Sequence, residues 1–223
     1  MDQQIYTRDV TGNALVINKV LRNTYILLSL TLLFSALTAG IAMVQNAGFV
    51  NIWLALIVII GFPFLLQATK NSPLGLVLTF AYTGFIGWYI GPLLNLYIQN
   101  FSNGSELIMM ALGGTGLIFL VLSILSMNPS KDYSGWSRFL GVGVIIAFVL
   151  ALLNMFFFKL PMLQLAISIA FSFISGGYIM YQTNMIVRGG ETNYVVATVV
   201  LYVSLVNIFL TLLQILGMFG GRR

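Results

Sequence analysis

The chain has 223 residues, of which 59% are hydrophobic and only 7% are charged, and its formal net charge is +5. Soluble domains carry about 25% charged residues, so a chain this poor in charge could not cover a surface that faces water. It contains no histidine and no cysteine, which excludes histidine-based catalytic triads, disulfides and the usual zinc, copper and iron sites. The composition therefore predicts an integral membrane protein that is not an enzyme and needs no cofactor. The basic residues stand singly, so no cluster could neutralise the phosphates of a nucleic acid.

Charged and polar clusters divide the sequence into seven apolar segments. No charge lies between Arg22 and Lys70, and this stretch of 47 residues accommodates two spanning helices of about 20 residues each. The third segment contains Gly91-Pro92, which is expected to bend it or end its regular part. Every segment is continuously apolar rather than alternating, which favours helices over the strands of a β-barrel. The predicted spans are residues 24–44, 49–69, 74–97, 106–127, 139–158, 162–187 and 193–219.

The spans divide the chain into a tail at 1–22, a transmembrane domain at 23–221 and a short tail at 222–223. The first tail carries no strong structure signal. The first span exceeds the 7–15-residue apolar region of a cleaved signal peptide and is interpreted as an uncleaved anchor. The distribution of Lys and Arg between the two sides of the membrane indicates the orientation. The side of the N-terminus has Arg8, Lys19, Arg22, Lys70, Lys131, Arg138 and Arg188, and the opposite side has Lys159, Arg222 and Arg223.

Seven against three places the N-terminus in the cytoplasm and the C-terminus on the opposite side of the membrane. An even number of spans with one re-entrant segment would instead return the C-terminus to the inside.

Two of the spans carry one-sided stripes of polar side chains. The spacings within each stripe place its members on one helical face, where they face protein rather than lipid. Hydrogen bonds between helices explain such stripes, and a polar path for ions or protons is the alternative. Bonding between helices is favoured because nothing on either stripe ionises. The stripes are Ser168, Ser172, Ser175 and Gln182 in the sixth span, and Ser204, Asn207, Thr211 and Gln214 in the seventh.

Glycines mark close helix contacts and one tight turn. Gly87 and Gly91 are spaced for the close approach of another helix. The turn from Arg188 to Asn193 could be a phosphate-binding glycine loop, or a helix C-cap at Gly189 followed by an N-cap at Thr192 or Asn193. The capping interpretation is favoured, because no Walker-type lysine follows and the carboxylate of Glu191 would repel phosphate.

Several longer motifs carry a resemblance that covers nearly the whole chain. They are KVLRNTY at 19–25, GPLLN at 91–95, MALGGT at 110–115, GGETNY at 189–194, LYVS at 201–204 and NIF at 207–209. In these motifs the sequence resembles the bacterial branch of the Bax inhibitor-1 family. The resemblance implies an all-α integral membrane fold, a seven-helix bundle in which the last helix is largely surrounded by the others.

The resemblance also implies a functional site, and this sequence differs from the family pattern at that site. Family members are linked to a proton-sensitive calcium leak, attributed to two facing carboxylates in the sixth and seventh helices. The matching positions here hold Gln182 and Ser204. Neither side chain titrates near neutral pH, so the two cannot share a proton as a carboxylate pair does. A leak through this chain is therefore expected to be weak or lost.

The bacterial branch is further linked to modulation of the membrane protease FtsH. The resemblance thus implies a protein of the bacterial inner membrane that binds the FtsH complex, as a competing client or a brake on the degradation of membrane proteins. A pH-sensitive cation leak channel is the alternative function. An intramembrane protease is a poor third, since the chain has no histidine for a serine dyad and no aspartate within a span.

Overall fold

The computed structural model describes residues 2–220, with side chains from Val16 onward. These residues fold into seven α-helical segments that are long and apolar enough to cross a membrane. Arg222 and Arg223, which entered the count of basic residues, lie outside the described residues. The helices are α1 (Asp2–Val44), α2 (Ile52–Thr69), α3 (Pro73–Asn100), α4 (Gly104–Ser126), α5 (Trp136–Leu153), α6 (Pro161–Val187) and α7 (Tyr194–Phe219).

The prediction of seven apolar helices is confirmed, but α1 is much longer than its predicted span. It begins at Asp2, so the segment without a strong structure signal is helical and continuous with the apolar stretch that starts at Val16. Adding a residue to an existing helix costs far less than nucleating a new one, which explains why a polar segment without proline continues the first span. The division into tail and transmembrane domain remains a prediction.

The third and fifth spans each contain one residue that bears on the regularity of the helix, Pro92 and Asn154. Pro92 does not end α3, which continues to Asn100. The fifth span reaches Phe158 as predicted, but its last turn, Asn154–Phe158, is a π-helix. Asn154 closes this turn, because its Oδ1 accepts the Leu160 amide proton at 3.0 Å and its Nδ2 donates to the Leu160 carbonyl at 3.2 Å.

The last helix forms the centre of the bundle, as expected. α7 packs against α1, α2, α3, α4 and α6, and it is the most buried of the seven spans. By contrast, α5 packs mainly on α6 and exposes large apolar side chains such as Phe139 and Ile145 to the surroundings. An apolar exterior around a core that contains polar side chains suits lipid as the solvent and not water.

Glycines bring α1 and α3 into the closest helix contact of the bundle. A Cβ atom on Gly87 would overlap the carbonyl oxygen of Ser35 and the hydroxyl of Thr38. A Cβ on Gly91 would lie 2.6 Å from the Cβ of Ala42. The close approach predicted from the spacing of these two glycines is therefore confirmed, and α1 is the helix that approaches.

Candidate functional site

The polar stripes of α6 and α7 face each other and are joined by hydrogen bonds. Asn207 Nδ2 donates to Ser175 Oγ at 3.2 Å, and Thr211 Oγ1 donates to the Ser168 carbonyl at 2.9 Å. Ser172 and Gln214 are half-buried and make no side-chain hydrogen bond within the described part of the chain. Two of the four predicted residues on each helix thus form direct links between α6 and α7, as expected of hydrogen bonds that hold the two helices together.

The two positions that correspond to the family carboxylates are both buried but are not paired. Gln182 and Ser204 are each 4% exposed. Ser204 Oγ donates to the Val200 carbonyl within its own helix at 2.8 Å. The bonds between α6 and α7 fix an antiparallel register that places Ser204 level with about residue 177, roughly 7 Å along α6 from Gln182. No hydrogen bond joins the two side chains among the described residues.

Gln182 carries one of several buried polar atoms that lack protein partners among the described residues. Its Nε2 has none, and neither do the hydroxyls of Thr24 on α1 and Ser123 on α4. Nearby groups are paired: Thr198 Oγ1 donates to the Tyr194 carbonyl at 2.7 Å and lies 3.2 Å from the Thr24 carbonyl. Polar atoms of this kind are sites for internal water, and none of these side chains supplies a charge that could hold a cation.

Tyr202, two residues before Ser204, is the central polar group of the core, and sequence reasoning missed it. Its hydroxyl lies 2.6 Å from Ser35 Oγ on α1 and donates to the Thr83 carbonyl on α3 at 3.2 Å. Since its proton goes to Thr83, the Ser35 hydroxyl donates to it. One fully buried side chain therefore joins α1, α3 and α7.

A second missed residue, Asn184, fastens the α4–α5 connection to α6. It is fully buried, and its Nδ2 lies within hydrogen-bond distance of the carbonyls of Ser126 at 3.1 Å and Lys131 at 3.0 Å. Its Oδ1 accepts the Tyr133 amide proton at 3.3 Å. Ser126 ends α4, so Asn184 satisfies a helix-terminal carbonyl that would otherwise have no partner.

An ion pair on the surface lies beside this contact. Arg188 NH2 is 3.0 Å from Asp132 Oδ2, and Arg188 NH1 donates to the Lys131 carbonyl at 3.2 Å. The Ser134 amide donates to Asp132 at 2.8 Å. This backbone hydrogen bond, then that of the Ser134 side chain and the attraction of Arg188, hold the pKa of the Asp132 carboxyl below its usual value.

Acidification should therefore release this part of the connection. The folded-state pKa of Asp132 is lowered, so its contribution to stability is present above the unfolded pKa of about 4 and is lost as the pH falls through the folded value. In a variant whose only tryptophan is Trp136, which contacts the Tyr133 ring, fluorescence should change as the pH falls below about 4. Asp132→Ala, which removes both the acceptor of the Ser134 amide proton and the partner of Arg188, should show the released signal at every pH. An identical titration in the two proteins would contradict this assignment.

The turn between α6 and α7 is a pair of helix caps, as predicted. Gly189 has φ +75°, and Asn193 Oδ1 accepts the amide protons of Val195 and Val196 at 3.0 and 3.1 Å. Asn193 also donates through Nδ2 to the Lys70 carbonyl at 3.0 Å, which ties this turn to the α2–α3 turn. The amides at the start of α7 are thus occupied by Asn193, which argues against the phosphate-binding alternative. No group of three or more carboxylate, histidine or cysteine side chains suited to a metal occurs among the described residues.

Comparison with known proteins identifies the family. The model of the family described as "Inhibitor of apoptosis-promoting Bax1" matches residues 17–221, which is nearly the whole bundle. The chain belongs to this Bax inhibitor-1 family. Escherichia coli K12 has a member named "Modulator of FtsH protease YccA", 44% identical over 97% of this chain and 98% of the relative. An uncharacterized protein of Pseudomonas aeruginosa is 41% identical over 99% of this chain and 98% of its own length.

Another relative is named for its location. The Escherichia coli O6:H1 protein named "Inner membrane protein YccA" is also 44% identical, over 97% of this chain. These matches cover this chain and each relative almost from end to end, so they include the sequences of all seven helices. The resemblance noted from the motifs is confirmed.

Proposed function

We propose that this chain is a regulatory, non-enzymatic protein of the bacterial inner membrane that binds the FtsH protease and moderates its degradation of other membrane proteins. The observation that carries the proposal is the 44% identity, over nearly the full length of both chains, with a protein named as a modulator of FtsH protease. The N-terminus would lie in the cytoplasm, on the side where basic residues predominate.

The long first helix suggests how the protease would engage the chain. α1 extends about 14 residues before its apolar stretch starts at Val16, which is roughly 20 Å of helix. A helical segment of this length in the cytoplasm is accessible to a partner beside the membrane. The chain would act there as a competing client or as a brake.

Copurification tests the proposal. The tagged full-length chain is extracted with mild detergent from cells that contain FtsH, and FtsH should be enriched over an unrelated seven-span protein with the same tag. Deleting residues 2–14 should lengthen the half-life of the chain in cells with active FtsH and leave it unchanged where FtsH is inactive. Deleting residues 222–223 is the matched control. Equal recovery of FtsH with the unrelated protein would end the proposal.

A pH-sensitive cation leak is the alternative, and it is the weaker function because the two buried residues at the family positions, Gln182 and Ser204, are neutral. We expect proteoliposomes of the native chain to show little calcium flux and no dependence on pH between 6 and 8. Gln182→Glu combined with Ser204→Asp should introduce a pH dependence, because two buried carboxylates repel each other through a medium of low dielectric even when they are not in contact. A flat profile in the double variant would show that the family mechanism does not transfer to these positions.

A further inference from the structure

A large apolar cavity lies between α1, α3, α4 and α7. Its volume is about 450 Å³, within the range of about 300–1,000 Å³ that small-molecule sites occupy. The lining is almost entirely hydrocarbon, and its innermost wall is provided by Tyr202, Leu205 and Phe209 of the central helix. Neither the polar stripes of α6 and α7 nor the ion pair of Arg188 and Asp132 contributes to it.

The cavity opens sideways between α1 and α4. Both helices pack against α7. Over the described residues they meet each other at the rings of Tyr25 and Phe119, whose centroids are 5.8 Å apart, and otherwise do not pack along each other. The rim residues Leu32 and Ala36 of α1 and Leu112 and Gly116 of α4 are exposed, whereas Leu205 at the floor is 5% exposed. A groove with an exposed rim and a buried floor, set among spanning helices, faces the hydrocarbon of the bilayer.

The polar groups in the lining already have partners inside the protein. The Tyr202 hydroxyl is bonded to Ser35 and to the Thr83 carbonyl, as described above. Thr115 Oγ1 donates to the Ala111 carbonyl at 2.7 Å. No charged side chain lines the groove. Its occupant therefore has no polar group to satisfy, which selects an apolar ligand.

The length of the groove matches the thickness of the hydrocarbon layer of one bilayer leaflet. On α1 it extends from Leu32 to Met43, which is about 16 Å of helix, and half of the hydrocarbon core of a bilayer is about 15 Å. A helix with its side chains is about 10–12 Å wide and would not reach the floor at Leu205 between two helices that both contact α7. We propose that this groove binds one acyl chain of a membrane phospholipid, from the leaflet that adjoins the C-terminal end of α1.

Two glycines on α4 provide a matched pair of variants. Gly116 lines the groove and Gly113 does not, and a Cβ atom added at either position would meet nothing within 4 Å. Gly116→Leu therefore places a side chain in the mouth, while Gly113→Leu places the same side chain on the outer face. Ala36→Leu obstructs the mouth from the α1 side, so the test does not depend on a single variant.

Photocrosslinking tests the proposal. The full-length chain is reconstituted in vesicles of phosphatidylethanolamine and phosphatidylglycerol that contain a phospholipid with a diazirine at the end of one acyl chain. After irradiation, mass spectrometry should find adducts on α7 between Leu205 and Phe209, although these residues are buried from bulk lipid. Gly116→Leu and Ala36→Leu should reduce these adducts by about fivefold or more, since an added side chain overfills an occupied site. Gly113→Leu should leave them unchanged.

Two outcomes would overturn the proposal. One is the absence of adducts on α7 with labelling only of the exposed helix faces, which would also result if a second copy or another protein filled the groove. The other is equal labelling of α7 in the Gly116→Leu and Gly113→Leu variants. Melting temperatures measured in the same vesicles confirm that each variant is folded, and the open space around both glycines means that folding should be retained.

Discussion

Replacing Asn184 with leucine should destabilise the protein by about 3 kcal/mol, because a buried group left without its hydrogen-bond partner costs about 1–3 kcal/mol and several are involved here. The substitution removes the donor to the carbonyls of Ser126 and Lys131 and the acceptor of the Tyr133 amide. The α4–α5 connection would lose its attachment to α6. Unfolding in mixed micelles of mild detergent and sodium dodecyl sulfate measures the loss.

Gln182→Leu is the matched control, two residues earlier on the same helix. Gln182 is as deeply buried, but its Nε2 has no protein partner, so leucine there removes an amide that is costly to bury. Its stability should stay within about 1 kcal/mol of the native protein or rise. Comparable destabilisation in the two variants would show that the hydrogen bonds of Asn184 are not what holds the connection.

Gly87→Ala should prevent the tight packing of α1 on α3 and destabilise the bundle by about 3 kcal/mol or more. The added methyl group would overlap the Ser35 carbonyl, which belongs to the backbone of α1 and cannot rotate away. Ser35 also donates to Tyr202, so displacing α1 would disturb the hydrogen bonds at the centre of the core. Thermal unfolding in detergent, monitored by tryptophan fluorescence, measures this loss of stability.

Gly113→Ala provides the comparison for this prediction. A Cβ at Gly113 meets nothing within 4 Å, and alanine is favoured over glycine within a helix by about 1 kcal/mol. The control should therefore be neutral or slightly more stable. If Gly87→Ala were equally well tolerated, α1 and α3 could not be as close as the structure places them.

The spans could be predicted because each depends on local composition alone. A run of about twenty apolar residues between charged clusters predicts a spanning helix whatever its neighbours are. The spacing of Gly87 and Gly91 likewise indicated a close contact with another helix. Predicting the partner helix requires tertiary structure, and nothing in the sequence identified α1. The N-terminal helix was missed because its polar sequence has no strong propensity and is helical as a continuation of the first span.

The candidate site was only partly predictable, because most of its contacts depend on tertiary structure. The stripes on α6 and α7 were visible as helical periodicity, and two contacts between them, at Ser175 and Ser168, are present. Asn184 and Tyr202 gave no comparable signal, since each acts through carbonyl groups more than 50 residues away in sequence. The resemblance directed attention to Gln182 and Ser204 as the family carboxylate positions, and both are buried. The register that separates them follows from the packing of the two helices.

The side-chain amides at the α6–α7 end of the bundle restrict how the helices can separate. Asn193 fastens the α2–α3 turn and Asn184 fastens the α4–α5 connection, so three of the loops at that end are linked to one another. The opposite end has no such amide joining α1 to α4 among the described residues. We therefore expect any widening of the gap between these two helices to be smaller at the amide-linked end and larger near Met43 and Ile108, which line the opposite end of the groove.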